Sequence, residues 1–253
     1  MEHDLPAKVE SYLAELTKRL VDHFQEQLIG VYLFGSASCK AYEPGVSDLD
    51  VQAVVQEPLS DVAKQAIVSL LNQDALPCPA TKLEFVLYAQ NVVHPASRHP
   101  RFELNLNTGP KRSDHIGFDP AKEASHWFLL DIAFGRELGR CLYGVDKSEA
   151  FGAIPYSWVL EAMAVSLEWH LLNEAKSANS VLNACRSWQY VASGKFASKL
   201  DGATWAMQQP DCPAVAEQAI VARKNNTDLP AAQVMELYNT VMGVIRTKLP
   251  SKG

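Results

Sequence analysis

The sequence has no long apolar run and no cysteine pattern typical of a metal site. Nowhere do about 18 apolar residues follow one another, and the opening stretch has no basic region ahead of an apolar one. The five cysteines are odd in number and never spaced CxxC, which disfavours both a disulfide framework and a thiolate zinc site. We therefore expect a soluble, cytoplasmic protein whose cysteines are reduced and mostly buried.

The chain also lacks a net positive charge and the common phosphate-binding fingerprints. Its formal net charge is -6, which gives no general attraction to DNA or RNA. It contains no GxxxxGK[ST] loop and no GxGxxG turn, and its seven histidines form no HExxH or comparable spacing. These absences disfavour a Walker-type ATPase, a dinucleotide-binding domain and a histidine-held metal, and they favour a small or cationic partner over a nucleic-acid polymer or a membrane.

Apolar periodicity predicts two halves of different character. In the first half it predicts two helices, at residues 7–27 and 59–71, and four strands, at residues 29–34, 49–55, 82–88 and 101–109, the last followed by a loop at 110–120. In the second half it predicts helices, at residues 122–138, 157–173, 180–193, 213–223 and 231–249. We therefore predict an α+β fold, with a mixed sheet and helices at residues 1–150 and an α-helical bundle at residues 151–253.

The most informative segment is residues 34–51, which joins a Gly-Ser turn to two aspartates. Asp48 and Asp50 are two positions apart at the start of a strand, so their carboxylates project from the same face. Such a pair repels itself, and a divalent cation with oxygen ligands, such as Mg²⁺, removes the repulsion. Gly35 permits a tight turn, and Ser36 offers a hydroxyl and an N–H to a phosphate. A lone DxD is weak evidence, because aspartates at a strand entry are commonly turn formers.

The whole arrangement of strand, Gly-Ser, loop, Ser-Asp-x-Asp and second strand resembles the signature of the DNA polymerase β-like nucleotidyltransferases. The resemblance implies transfer of a nucleoside monophosphate from an NTP, and it implies a third carboxylate on a neighbouring strand. Glu84 is the one acid in the strand predicted at residues 82–88. It is predicted to be a metal ligand or the general base that takes the proton from the attacking hydroxyl. The alternative is an outward-facing glutamate on an edge strand.

The second half is similar to the bacterial streptomycin/spectinomycin adenylyltransferases and their aminoglycoside nucleotidyltransferase relatives. The similarity is carried by residues 142–144, 154–155, 183–199 and 203–207. It implies that ATP and Mg²⁺ are required, and that Arg186 and Lys199, assisted by Lys195, bind the triphosphate. Each of these cations has the alternative of being a surface charge or a helix cap. Trp188 and Tyr190 are interpreted as core residues rather than platforms for the nucleobase.

The chain departs from the streptomycin enzymes where those enzymes hold their antibiotic. They have an acidic segment ahead of the arginine helix and a tryptophan near the end of the first domain, and neither is evident here. The matching regions are residues 173–180, with Lys176 where negative charge would help, and residues 103–109. The remaining candidates for contact with the acceptor are Glu103, Asn105, Asn107, Glu168 and Glu174.

These patterns lead to one hypothesis about function and two alternatives. The hypothesis is a monomeric enzyme that moves AMP from ATP to a hydroxyl of an aminoglycoside-type or aminocyclitol acceptor. The first alternative keeps the chemistry and changes the acceptor to another metabolite or a protein side chain. The second is a nucleotide-binding protein without turnover, which the presence of all three acids disfavours.

Overall fold

A computed structural model describes residues 5–225 and 227–249 of the chain. The chain divides into two compact units, of which the first ends at Ile154 and the second begins at Pro155. No helix of the described residues is both long enough and apolar enough to cross a membrane.

The first unit is built on a six-stranded mixed sheet. Its strands are β1 (Leu28–Phe34), β2 (Leu49–Val55), β3 (Leu83–Ala89), β4 (Leu104–Thr108), β5 (His115–Gly117) and β6 (Arg140–Gly144). Their order in the sheet is β5-β4-β3-β2-β1-β6, with β2 and β3 parallel and all other neighbours antiparallel. The helices of this unit are α1 (Ala7–Phe24), α2 (Gly35–Ser38), α3 (Asp61–Leu71), α4 (Gln90–Val93), α5 (Ser125–Leu138) and α6 (Lys147–Ala150). The mixed sheet with helices confirms the predicted α+β class.

Alternation along the strands sends side chains to two different cores. One core joins apolar residues of α1 and α3 to alternate strand residues such as Val51, Phe85 and Leu106. The other core, on the opposite face of the sheet, includes Phe34 and Tyr88. Polar side chains of β2, β3 and β4 replace apolar ones at one end of this second face, and the candidate site lies there.

The parallel pairing of β2 with β3 depends on the crossover through α3, because two parallel strands cannot be joined by a tight turn. The helix begins where the Ser60 hydroxyl accepts a hydrogen bond from the Ala63 N–H at 3.3 Å. Glu103 also supports this start, since its Oε2 accepts from the Leu59 N–H at 3.0 Å and lies 3.2 Å from Lys64 Nζ. The crossover brings the first residues of β3 beside those of β2.

The second unit is helical, as predicted. Its helices are α7 (Tyr156–Asn173), α8 (Ala178–Ser193), α9 (Lys199–Ala206), α10 (Val215–Asn225) and α11 (Ala231–Lys248). Helix α8 is central and packs against the other four. Trp188 and Tyr190 of α8 are buried, which agrees with their interpretation as core residues. The helix ends at Gly194, whose φ of 71° lies in the left-handed region that glycine adopts most easily.

Several short or exposed elements differ from the sequence prediction. Residues 110–120, predicted as a loop, contain β5, and β6 follows α5, so β4 is not the last strand. Strand β5 has three residues and β6 is largely exposed at the edge of the sheet, so neither has the apolar alternation that marks a half-buried strand. Helix α9 was also not predicted, because its eight residues are too few to show a helical period.

The cysteines are all free, but the prediction that they are mostly buried is wrong. Cys78 and Cys185 are buried, Cys39 and Cys212 are half-buried, and Cys141 is exposed. Cys141 lies on the edge strand β6, where side chains have few neighbours.

Candidate active site

Three carboxylates meet at the start of the parallel strand pair. Asp48 directly precedes β2, Asp50 is the second residue of β2, and Glu84 is the second residue of β3. Asp50 and Glu84 are paired in register, so their side chains leave the sheet on the same face. Oxygen atoms of the three side chains lie within 4.8 Å of one another. Strand β3 has a neighbour on each side, so the edge-strand interpretation of Glu84 is wrong.

Lys82 is a fourth member of this cluster and was not among the site residues predicted from the sequence. Its ammonium group forms an ion pair with Glu84, and its Nζ lies 3.7 Å from Oδ2 of Asp48. The signal was available in the sequence, because Lys82 and Glu84 are two positions apart in the strand predicted at residues 82–88 and should therefore share a face. The lysine supplies positive charge to a group of acids that would otherwise repel one another.

Gly35 and Ser36 form the turn beside the carboxylates, at the start of α2. Gly35 has φ of 62°, and a Cβ atom there would lie 1.8 Å from Oδ2 of Asp50. The Oγ of Ser36 is buried, and within the described part of the chain it has no hydrogen-bond partner. A buried hydroxyl in a polar site is normally bonded, so this oxygen is suited to a ligand that enters the site.

The donor set fits a hard divalent cation. Asp48, Asp50 and Glu84 offer carboxylate oxygens, the ligands that Mg²⁺ prefers, and the cluster contains no sulfur or imidazole donor. Across residues 5–225 and 227–249, this is the one group of three or more His, Cys, Asp or Glu side chains with ligand atoms this close together. Lys82, which already pairs with Asp48 and Glu84, indicates that the cluster favours a cation.

The amides of β4 lie on the same face as the carboxylates. Asn107 is paired with Glu84 across the β3–β4 ladder, and Asn105 lies two positions before Asn107 on β4. Glu103, also a candidate acceptor contact, bonds instead to the start of α3. Of these three candidates for contact with the acceptor, Glu103 therefore supports the start of α3, and Asn105 and Asn107 lie on the face that carries the carboxylates.

The predicted triphosphate-binding cations belong to the helical unit. Arg186 is half-buried on α8, and Lys195 is exposed just after the helix. Lys199 Nζ donates to Oδ1 of Asn179 at 2.6 Å. Gly202 of α9 packs so closely on α8 that an added Cβ would lie 2.6 Å from the Arg186 Cα. The role of the three cations in binding ATP stays a prediction.

The helical unit also contains a buried polar cluster around His170. Asn183 Nδ2 lies 3.1 Å from His170 Nε2, and His170 Nδ1 lies 3.2 Å from both Glu174 and Ser180. Burial lowers the pKa of His170 to about 4, because it penalises the charged imidazolium. Glu174 therefore has partners in its own unit, and Glu168 is exposed on α7.

Comparison with known proteins places these features in a family context. Residues 149–241 match the model of the aminoglycoside adenylyltransferase C-terminal domain. The chain is 27% identical to an aminoglycoside (3'') (9) adenylyltransferase of Klebsiella pneumoniae, and the alignment covers 100% of each chain. It is also 27% identical to a spectinomycin 9-adenylyltransferase of Enterococcus faecalis, over 73% of this chain and 74% of that one.

A solved structure has the same fold. The crystal structure of a spectinomycin adenyltransferase from Enterococcus, with ATP and spectinomycin, covers 94% of this chain and 99% of its own with a TM-score of 0.67 and 20% identity. The predicted resemblance is thereby confirmed: the chain is similar in sequence to the aminoglycoside and spectinomycin adenylyltransferases, and it has the nucleotidyltransferase fold.

Proposed function

We propose that this protein transfers AMP from ATP to a hydroxyl group of an aminoglycoside or aminocyclitol. The observation that carries the proposal is the cluster of Asp48, Asp50 and Glu84, whose oxygens lie within 4.8 Å beside the Gly-Ser turn. Relatives that align over the whole chain are named as adenylyltransferases, which supports the same chemistry here. We further propose that the enzyme acts as a monomer in the cytoplasm.

The negative charge of the nucleotide is offset by a metal ion that the acids hold and by basic side chains. Asp48 and Asp50 hold Mg²⁺, with Glu84 as a third ligand, and the Ser36 hydroxyl donates to a phosphate oxygen. When bound, Mg²⁺ neutralises the triphosphate and the charge that develops on the departing pyrophosphate. Arg186 and Lys199, assisted by Lys195, add positive charge to the triphosphate. This last assignment rests on the sequence resemblance.

Glu84 is the residue best suited to activate the acceptor. As general base it removes the proton of the acceptor hydroxyl while the hydroxyl oxygen forms a bond to the α-phosphorus. The bond from the α-phosphorus to the bridging oxygen breaks, and pyrophosphate leaves with the electron pair. The products are the adenylylated acceptor, pyrophosphate and a proton on Glu84.

The test is release of pyrophosphate from ATP and Mg²⁺ in the presence of a panel that includes spectinomycin and streptomycin. We expect acceptor-dependent release and a product heavier by one AMP less water. Asp50→Asn protein provides the blank, and Asn91→Ala, a change at an exposed position of α4, provides the matched control. If the wild type releases no pyrophosphate with any acceptor of the panel but still binds ATP in a metal-dependent way, the proposed acceptor class is contradicted and nucleotide binding is not.

A second candidate keeps the chemistry and changes the acceptor. It is favoured by Lys176 and the absence of an acidic segment at residues 173–180, where the streptomycin enzymes carry negative charge. The acceptor would then be another metabolite or a protein side chain. Incubation of the protein with ATP and a mixture of candidate acceptors, followed by mass spectrometry, separates the two candidates. A protein that binds ATP but releases no pyrophosphate with any acceptor would instead be a nucleotide-binding protein without turnover.

A further inference from the structure

The row of side chains that contains Asp50 and Glu84 continues across the sheet. Glu84 is paired with Asn107 of β4, and Asn107 is paired with His115 of β5. Side chains of residues paired directly across antiparallel strands leave the sheet on one face, with Cβ atoms about 4.5–5.5 Å apart. Asn107 is therefore the neighbour of Glu84 on the side opposite Asp50.

A chain of hydrogen bonds holds the Asn107 amide. Nδ2 of Asn107 donates to Oδ1 of Asn105 at 3.1 Å, and Nδ2 of Asn105 donates to Oε2 of Glu123 at 2.9 Å. The other carboxylate oxygen of Glu123 lies 2.9 Å from Nε2 of His115. Asn105 is 7% exposed, so the middle of this series of hydrogen bonds is shielded from water.

The carboxylate of Glu123, at the end of this series of hydrogen bonds, determines the direction of every bond in it. An ionised carboxylate can only accept hydrogen bonds, so Asn105 must turn its NH₂ group toward Glu123. Its carbonyl oxygen then faces Asn107, which must in turn present its own NH₂ group. The carbonyl oxygen Oδ1 of Asn107 is left over, and within the described residues no hydrogen bond to it is found. Glu123 thus fixes which end of the Asn107 amide is available.

Gly117 is needed for this arrangement. It is paired with Asn105 across the β4–β5 ladder. A Cβ atom at Gly117 would lie 2.5 Å from Oε1 of Glu123 and 3.6 Å from the Asn105 Cβ. The absence of a side chain at this position therefore lets the Glu123 carboxylate reach Asn105.

We propose that Asn107 is a specificity-determining residue for the acceptor. Its Oδ1 accepts a hydrogen bond from a hydroxyl or ammonium group next to the hydroxyl that Glu84 deprotonates. Glu123 and Asn105 are positioning residues that act through it. The inference rests on the proposed function and narrows it: the acceptor carries a hydrogen-bond donor beside its reacting hydroxyl, as aminocyclitols and amino sugars do. A group that can only accept hydrogen bonds, such as an ether or ketone oxygen, is disfavoured at this position because its lone pairs would face those of the Asn107 Oδ1.

The test compares steady-state kinetics of the full chain and its variants with spectinomycin and streptomycin as acceptors. Asn107→Leu keeps a similar side-chain volume and cannot accept a hydrogen bond. We expect it to raise the acceptor KM by about tenfold to a hundredfold, the range for a lost bond to a charged donor, while the KM for ATP stays unchanged. Asn91→Leu, at an exposed position of α4, is the control and should change neither constant.

A double-mutant cycle tests whether Glu123 acts through Asn107. Glutamine at position 123 can donate as well as accept, so Glu123→Gln releases the orientation of Asn105 and then of Asn107. We expect Glu123→Gln to raise the acceptor KM in the wild-type background and to have no effect in the Asn107→Leu background. A merely structural role of Glu123 would instead lower Tm and kcat in both backgrounds.

The outcomes separate this inference from the function on which it rests. An active wild type whose Asn107→Leu variant keeps an acceptor KM within about twofold overturns the inference and leaves the function standing. An equal rise in the KM for ATP overturns it as well. A wild type that adenylylates none of the acceptors overturns the function and the inference together.

Discussion

Gly35 and Asp50 are in such close contact that a methyl group at position 35 would overlap the aspartate carboxylate. The added Cβ would lie 1.8 Å from Oδ2 of Asp50, and the φ of 62° at Gly35 is one that residues with a side chain rarely adopt. The turn that carries Ser36 and the strand that carries Asp50 therefore depend on each other. A change in the turn alters the position of the metal ligand.

The first prediction concerns this contact. Gly35→Ala should reduce adenylyl transfer at least about a hundredfold, because the Asp50 carboxylate must move by more than the roughly 0.5 Å that a catalytic arrangement tolerates. Gly45→Ala is the matched control, since Gly45 also has a positive φ, 79°, but no atom within 4 Å of an added Cβ. Both variants should lose about 1 kcal/mol of stability from backbone strain, and Gly45→Ala should keep its activity. Equal loss of activity in the two would show that strain, not the overlap with Asp50, is responsible.

The second prediction concerns the Ser36 hydroxyl, which is buried without a partner in the described chain. Ser36→Ala should leave the unfolding free energy of the ligand-free protein unchanged or raise it by about 1 kcal/mol, because an unsatisfied polar atom is removed. The same change should weaken ATP binding about tenfold. Calorimetry of ATP binding and urea unfolding measure the two effects. Ser38→Ala is the comparison, since Ser38 Oγ donates to the Gly35 carbonyl at 2.9 Å and its loss should destabilise the protein. A destabilised Ser36→Ala variant with normal ATP affinity would contradict the proposed contact.

The third prediction concerns Lys82 as a resident cation among the acids. Lys82→Met should lower the Tm of the metal-free protein, because Asp48 and Glu84 lose the positive charge beside them. Addition of Mg²⁺ should then raise Tm more in the variant than in the wild type, since the metal replaces the missing charge. Lys64→Met removes a different ion pair, to Glu103, and should lower Tm without changing the Mg²⁺-dependent shift. An identical Mg²⁺ shift in wild type and Lys82→Met would argue against a metal at this cluster.

The fourth prediction concerns pH and the buried His170. Its pKa is about 4 in the folded protein and about 6.5 when unfolded, so the unfolded chain binds the proton first. Stability from this group is therefore complete above about pH 6.5 and is lost as the pH falls toward 4, by up to roughly 3 kcal/mol. Below that range both states are protonated and the loss stops.

Urea unfolding of the wild type and of His170→Asn at about pH 7 and about pH 5 measures this loss. The asparagine does not titrate and keeps a donor near the place of Nδ1. The wild type should lose more stability than the variant between the two pH values. Parallel losses in both proteins would mean that other groups cause the acid sensitivity.

Much of the fold followed from local pattern. Strand β2 begins and ends where the alternation predicted, at Leu49 and Val55. Successive side chains of a strand point to opposite faces, so the sequence itself shows this period of two. The same period placed Asp48 and Asp50 together, and the Gly-Ser turn marked the place where the backbone bends. The exposed strands β5 and β6 were missed, because an edge strand with little burial needs no such alternation.

The partners of the two aspartates were decided by pairing between distant segments. Glu84 stands beside Asp50 because the α3 crossover sets β3 parallel to β2 in that register, and a shift of one residue would send Glu84 to the opposite face. The contact of Lys82 with Asp48 depends on the same register, and the pairing of Asn107 with Glu84 depends on the register between β3 and β4. The sequence of one strand predicts which of its residues share a face. Which residue of the next strand lies opposite them is decided by how the apolar side chains of both faces pack into the two cores.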